Sequence, residues 1–191
     1  MSTEIVEYRA GWTQEFQDLG SRLRDALETV ALRIDHIGST AVPGLAAKDV
    51  LDLQITVNDL ENARLRSSLE GLGLKWWEDL RHDHCPPGNL LNLKQLEKRY
   101  AQARAPHRVA HLHIRVKGRF NTRYALLCRD YLRTYSSAAQ AYGEVKKQLA
   151  RYFPENKQAY CDVKDPVFDI IMAGAEEWAT LTAWQPGPSD A

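Results

Sequence analysis

Apolar residues recur at spacings of three and four from Phe16 through Leu19, Leu23 and Leu27 to Val30, the stripe of a helix with one buried face, and Thr13 is placed to cap it. Residues 32–37 read as a short strand, ended by Gly38-Ser39-Thr40 and by the loop Ala41-Val42-Pro43-Gly44, whose proline and glycine interrupt regular structure. A second strand is expected over residues 50–57. Asn58 or Asp59 is placed to cap a helix through Leu60, Ala63, Leu65 and Leu69, which Gly71 and Gly73 end, and residues 74–77 begin a third strand.

From Asp79 to Arg108 the pattern loses its period. Cys85-Pro86-Pro87-Gly88-Asn89 is a turn, residues 90–103 are expected as a helix, and the region reads as an insertion. His111-Leu112-His113-Ile114-Arg115-Val116 then alternates polar and apolar residues with period two, as a half-buried strand does. The rest is helical, with breaks at Ser136-Ser137 and at Asp165-Pro166, an N-cap followed by a first-turn proline. These elements predict an α/β (α+β) fold: a small mixed sheet with packed helices and a helical C-terminal part, one domain over residues 1–182. The Pro/Gly-containing tail, residues 183–191, is expected to be disordered.

Composition narrows the function classes. Lys and Arg number 25 and Asp and Glu 25, so no global positive field exists to hold a nucleic-acid backbone or an anionic membrane. Any polyanion site must be local. Cys85, Cys128 and Cys161 form neither a CxxC motif nor an even-numbered framework, no signal-peptide run opens the chain, and no stretch is apolar enough to span a membrane. The expected compartment is the cytoplasm.

The sharpest chemical signal is a strand ending in Gly38-Ser39, a loop, and a strand carrying Asp52-Leu53-Gln54. Glycine lets backbone approach a phosphate closely, a serine hydroxyl can donate to its oxygens, and Lys48 adds a point charge. The plainer reading is that Gly38 permits a turn and Ser39 satisfies it. Asp52 and Gln54 sit two apart on a strand and so share a face, about 6–7 Å apart, the placement of paired metal-binding carboxylates. Glutamine supplies a neutral oxygen where an acid would supply charge, which weakens a magnesium or manganese site held by Asp52. His111 and His113 share one face of the later strand; His113 can serve as general acid or base, as a softer-metal ligand, as a phosphate donor or as a buried structural histidine. His82-Asp83-His84-Cys85 offers loop ligands that, with His111 and His113, are a candidate zinc set of no familiar spacing. Arg129 with Arg133 and Tyr142 with Lys146 each lie four apart on a helix, faces able to clamp an anion or to pair with Asp130 and Glu144 in solvent.

The run His36-Ile37-Gly38-Ser39-Thr40-Ala41-Val42-Pro43-Gly44-Leu45-Ala46-Ala47-Lys48 resembles the signature of the GrpB-like family. The resemblance continues in His111-Leu112-His113, in Cys128-Arg129-Asp130-Tyr131-Leu132-Arg133 and in Tyr142 with Lys146, spanning residues 5–180. That family is similar to the nucleotidyltransferase superfamily, in which a Gly-Ser turn holds a nucleoside triphosphate and an acidic pair on the next strand holds magnesium. The resemblance implies a nucleotide or phosphorylated-metabolite ligand near His36, Gly38, Ser39, Thr40, Lys48, Gln54, His111, Arg115, Arg129, Arg133, Tyr142 and Lys146, with Asp52 and His113 as the catalytic candidates. Two readings stand: transfer of a nucleotidyl group to a small acceptor, or a non-catalytic binding module that has lost the metal pair, as suits the family's fusions to dephospho-coenzyme A kinase.

Overall fold

The computed structural model describes residues 4–105 and 107–191; the first three positions of the expected domain, and of the stretch read for a leader, lie outside the described residues. Five strands, β1 (Arg33–Ile37), β2 (Leu51–Val57), β3 (Lys75–Trp77), β4 (Lys98–Ala103) and β5 (Ala110–Val116), form one sheet in the order β1-β2-β5-β4-β3. β2 and β5 run parallel, and the other neighbours are antiparallel. Five α-helices accompany it among the described residues: α1 (Gly11–Leu27), α2 (Ala63–Gly71), α3 (Phe120–Thr134), α4 (Ser136–Tyr152) and α5 (Lys157–Thr182). The fold is α/β with a mixed sheet.

Alternation along the strands gives the sheet two unlike faces. Leu51, Leu53, Ile55 and Val57 of β2, with Leu112 and Ile114 of β5, face α1 and α2 and pack against Trp12, Phe16, Leu23, Leu27, Leu65 and Leu69. Burying each such side chain contributes about 1.5–3 kcal/mol. The opposite face is polar: register sets Asp52 beside His111, Gln54 beside His113 and Thr56 beside Arg115, while Tyr100 and Lys98 of β4 pair with His113 and Arg115. Helices α3 to α5 cannot close on that face with apolar side chains alone. They form a second core of Leu127, Leu132, Tyr142, Met172 and Ala175 and leave a cavity of about 410 Å³ above the sheet.

Several local expectations are corrected. Residues 98–103, expected within a helix, are β4, because pairing with β5 on one side and β3 on the other outweighs the helix preference of Lys98, Gln102 and Ala103. Helix α2 is capped by Asn62, whose side chain accepts from Arg64 N, rather than by Asn58 or Asp59. Pro166 does not open a helix but lies inside the 26-residue α5, where packing of Phe168, Met172 and Ala175 outweighs the missing backbone bond. The tail expected to be disordered lies along the open edge of β1: Ala191 N donates to Ile34 O at 3.0 Å, Ile34 N to Ser189 Oγ at 2.9 Å and His36 N to Asp190 Oδ2 at 3.0 Å. An edge strand carries unpaired N–H and C=O groups, and the tail satisfies them.

Candidate functional site

The turn after β1 is fixed by geometry. Gly38 has φ 69°, and a Cβ built on it would lie 2.5 Å from Asp52 Oδ2, so the position excludes any side chain. That close approach sets Ser39 at the rim of the same cavity as Asp52. Lys146 of α4, itself buried, donates from Nζ to Ser39 Oγ at 2.7 Å and stands 4.7 Å from the centre of the Tyr142 ring. Burial and the neighbouring Lys164 cation push its pKa down to about 7. Lys48 lies 4.2 Å over the Tyr160 ring, and burial lowers its pKa too. The cavity therefore joins cationic side chains to an aromatic wall of Tyr124, Tyr142, Tyr160 and Phe168.

On the sheet floor, His111 Nδ1 lies 3.2 Å from Asp52 Oδ1 and His113 Nε2 3.9 Å from the same oxygen. Burial alone would raise the Asp52 pKa, but the two imidazoles outweigh it and hold the carboxyl well below its usual range. An ionised carboxylate can only accept, so His111 Nδ1 carries the proton in that bond. In neutral His111 that leaves an acceptor at Nε2, on a side chain that lines the cavity. His113 is held differently: Lys98 Nζ lies 3.3 Å from its Nδ1 and the Tyr100 ring packs edge-on at 5.4 Å. Burial pushes its pKa down to about 4, which keeps the ring neutral at pH 7.

Behind His113 lies an ion cluster. Arg115 donates to both oxygens of Asp83 at 2.8 and 2.9 Å, Lys98 Nζ donates to Asp83 Oδ1 at 2.7 Å, and Asn121 Nδ2 donates to Asp83 Oδ2 at 3.0 Å. Against burial, the Arg115 and Lys98 charges hold the Asp83 carboxyl far below its ordinary value. Arg115 also donates to Gln54 Oε1 at 2.7 Å, and Gln54 Nε2 donates to Thr122 O at 3.1 Å, so both amide atoms of this fully buried side chain are engaged.

Of the residues singled out in the sequence, Gly38, Ser39, Thr40, Lys48, Asp52, His111, His113, Arg115, Arg129, Tyr142 and Lys146 line one cavity, joined by Asp83 and His84 of the loop set. Gln54 lies beneath it, bound to Arg115. His36 does not join them: it sits on the opposite sheet face, stacked on Phe16 at 4.7 Å between ring centres, and its Nε2 lies 3.0 Å from Thr40 Oγ1. Burial, with the Arg133 cation, pushes its pKa down to about 4. Thr40 touches the cavity wall, yet its hydroxyl is committed to His36. Arg129 spends its guanidinium on Asp130, Asp190 and His36 O, and Arg133 donates to Ala41 O at 2.9 Å. Both hold the turn and the tail in place. The loop set His82-Asp83-His84-Cys85 is dispersed: His82 bridges to Glu97, His84 reaches Asp169 at 3.0 Å, and Cys85 is exposed. Lys164, Tyr124 and Phe168 also line the cavity; Tyr160 and Lys164 stand four apart on α5, a spacing visible in the sequence, whereas nothing in an aperiodic loop points Asp83 at β5.

A family described as GrpB protein matches residues 2–173. The chain is 34% identical over 188 residues to a dephospho-CoA kinase of Mycolicibacterium paratuberculosis, covering 92% of this chain and 46% of that protein. It thus spans about half the length of the kinase relatives it matches. The crystal structure of conserved protein GrpB from Enterococcus faecalis superposes with a TM-score of 0.71 at 28% identity, covering 92% of this chain and 99% of that one. Cid1 in complex with the UTP analog UMPNPP gives 0.51 at 16% identity, covering 83% and 48%; that is a likeness of fold alone.

Proposed function

The chain belongs to the GrpB family, and we propose that its cavity binds a nucleotide or another phosphorylated metabolite, with a phosphate at Ser39 and Lys146. The observation that supports this best is the 2.7 Å bond from Lys146 Nζ to Ser39 Oγ beside a glycine turn that no side chain can enter. A lysine kept from water with its charge unpaired is destabilising by itself, and an anionic ligand would complete it. The aromatic wall offers a stacking surface for a base or another flat group.

Binding is favoured over nucleotidyl transfer by one specific contact: Gln54, where a second acid would be expected, is buried and bound to Arg115 instead of facing the ligand. The second reading, transfer to a small acceptor, rests on Asp52 with His111 3.2 Å from its Oδ1 on the cavity floor. No helix among the described residues is long and apolar enough to cross a membrane, and all three cysteines are free, which suits a reducing cytoplasm. Calorimetric titration with inorganic pyrophosphate and with nucleoside triphosphates tests the reading. Wild type should bind, and Lys146→Met and Ser39→Ala should each weaken binding by about 1–3 kcal/mol. Equal affinity in all three proteins moves the phosphate elsewhere.

A further inference from the structure

The nucleotidyltransferase-type fold implies divalent metal at the acidic strand, and the donors of this chain do not fit one. A hard cation such as magnesium needs free carboxylate or carbonyl oxygens at its centre. Gln54 has neither amide atom free. Asp83 accepts from Arg115, Lys98 and Asn121. Asp165, which also lines the cavity, pairs with Lys164 at 2.6 Å on α5, and Asp52 is left as the one acid on the acidic strand, already shared by two imidazoles. Among the described residues no three His, Cys, Asp or Glu side chains converge as a metal site.

Part of the charge a metal would bring is nevertheless present: two cations against one carboxylate leave a net positive charge. Arg115 and Lys98 lie side by side on β5 and β4, both buried, with Asp83 between them. Lys98 meets His113 on the side away from Asp52, and Arg115 occupies the oxygen of Gln54. A guanidinium is not deprotonated in proteins, so that part of the charge is permanent.

We infer that this site works without a divalent ion: Arg115 and Lys98, fixed by Asp83, stand in for the metal, and the cavity takes its phosphorylated ligand as the free anion. This rests on the phosphate reading above for its second half only. The metal half is tested on wild-type protein with manganese alone, followed by water-proton relaxation, and with zinc after exhaustive dialysis. Neither should bind at the site more tightly than about 1 mM. Manganese or zinc bound about tenfold more tightly than that, and released by Asp52→Asn, overturns the inference. As a second arm, Gln54→Glu combined with Arg115→Gln frees an acid and removes the cation, and should gain at least about tenfold in manganese affinity over wild type. Gln54→Glu alone should gain nothing, because Arg115 pairs with the new acid; a gain there counts against Arg115 as the substitute.

The ligand half uses inorganic pyrophosphate titrated in EDTA and in excess magnesium. Equal or tighter binding in EDTA is expected. Binding that appears only with magnesium overturns the inference and leaves the phosphate reading intact. Pyrophosphate bound in neither buffer overturns the phosphate reading, and the manganese and zinc results then decide the metal half by themselves.

Discussion

Gly38 and Asp52 are packed so closely that a Cβ on the first would fall 2.5 Å from Oδ2 of the second. The turn and the acidic strand are therefore one rigid unit, and Gly38→Ala should disturb both. Its φ of 69° adds backbone strain for any other residue. We expect a loss of about 2–4 kcal/mol in urea denaturation together with weakened ligand binding. A loss under about 0.5 kcal/mol would show that the turn can move away from Asp52 at no expense.

Lys146 links binding to protons. With its pKa near 7 the amine is mostly neutral at pH 8, and a phosphate beside it would favour the charged form. Binding at pH 8 should take up close to one proton, read from calorimetry in buffers of different ionisation enthalpy, and affinity should fall as pH rises above about 7. Lys146→Met should abolish the proton uptake. Uptake that persists in the variant would assign it to another group.

The strand–turn–strand unit and the alternation of β5 were legible because period two and a Gly-Ser turn are local signals. What escaped was tertiary. His36 lies in the signature run, but its neighbour Ile37 is the residue paired with Asp52, which places His36 on the apolar face. The spacing of Arg129 and Arg133 shows that they share a helix face without showing that the face meets Ala41 and Asp190. Nor does an aperiodic loop reveal that Asp83 folds back onto Arg115, or a Pro/Gly tail that an edge strand awaits it.

The tail contact carries its own consequence. Asp190 accepts from buried Arg129 at 2.6 Å and from His36 N. Asp190→Ala should cost about 1–3 kcal/mol by leaving part of the guanidinium unmatched, with Asp130 still compensating the rest. Hydrogen exchange should speed up at Ile34 and His36 in the same variant. Unchanged exchange at both amides would mean that the tail adds nothing to β1.

Asp83 gives the clearest dependence of stability on pH. Its carboxylate is 15% exposed and holds two buried cations, so Asp83→Asn leaves Arg115 and Lys98 without their partner charge. Removing one member of a buried ion cluster costs about 3–5 kcal/mol. The pKa of Asp83 is depressed in the folded chain, so between its folded value and the ordinary carboxylate range the unfolded chain binds the extra proton, and stability from this group is lost as pH falls. The contribution is present in full above the unfolded value and shrinks below it. The gap between wild type and Asp83→Asn should therefore be largest at pH 6 to 7 and narrow markedly by pH 3, read from urea denaturation at each pH. A gap that stays constant across that range would show that Asp83 acts through its shape and hydrogen bonds rather than its charge, and the cluster would then be no substitute for a metal ion.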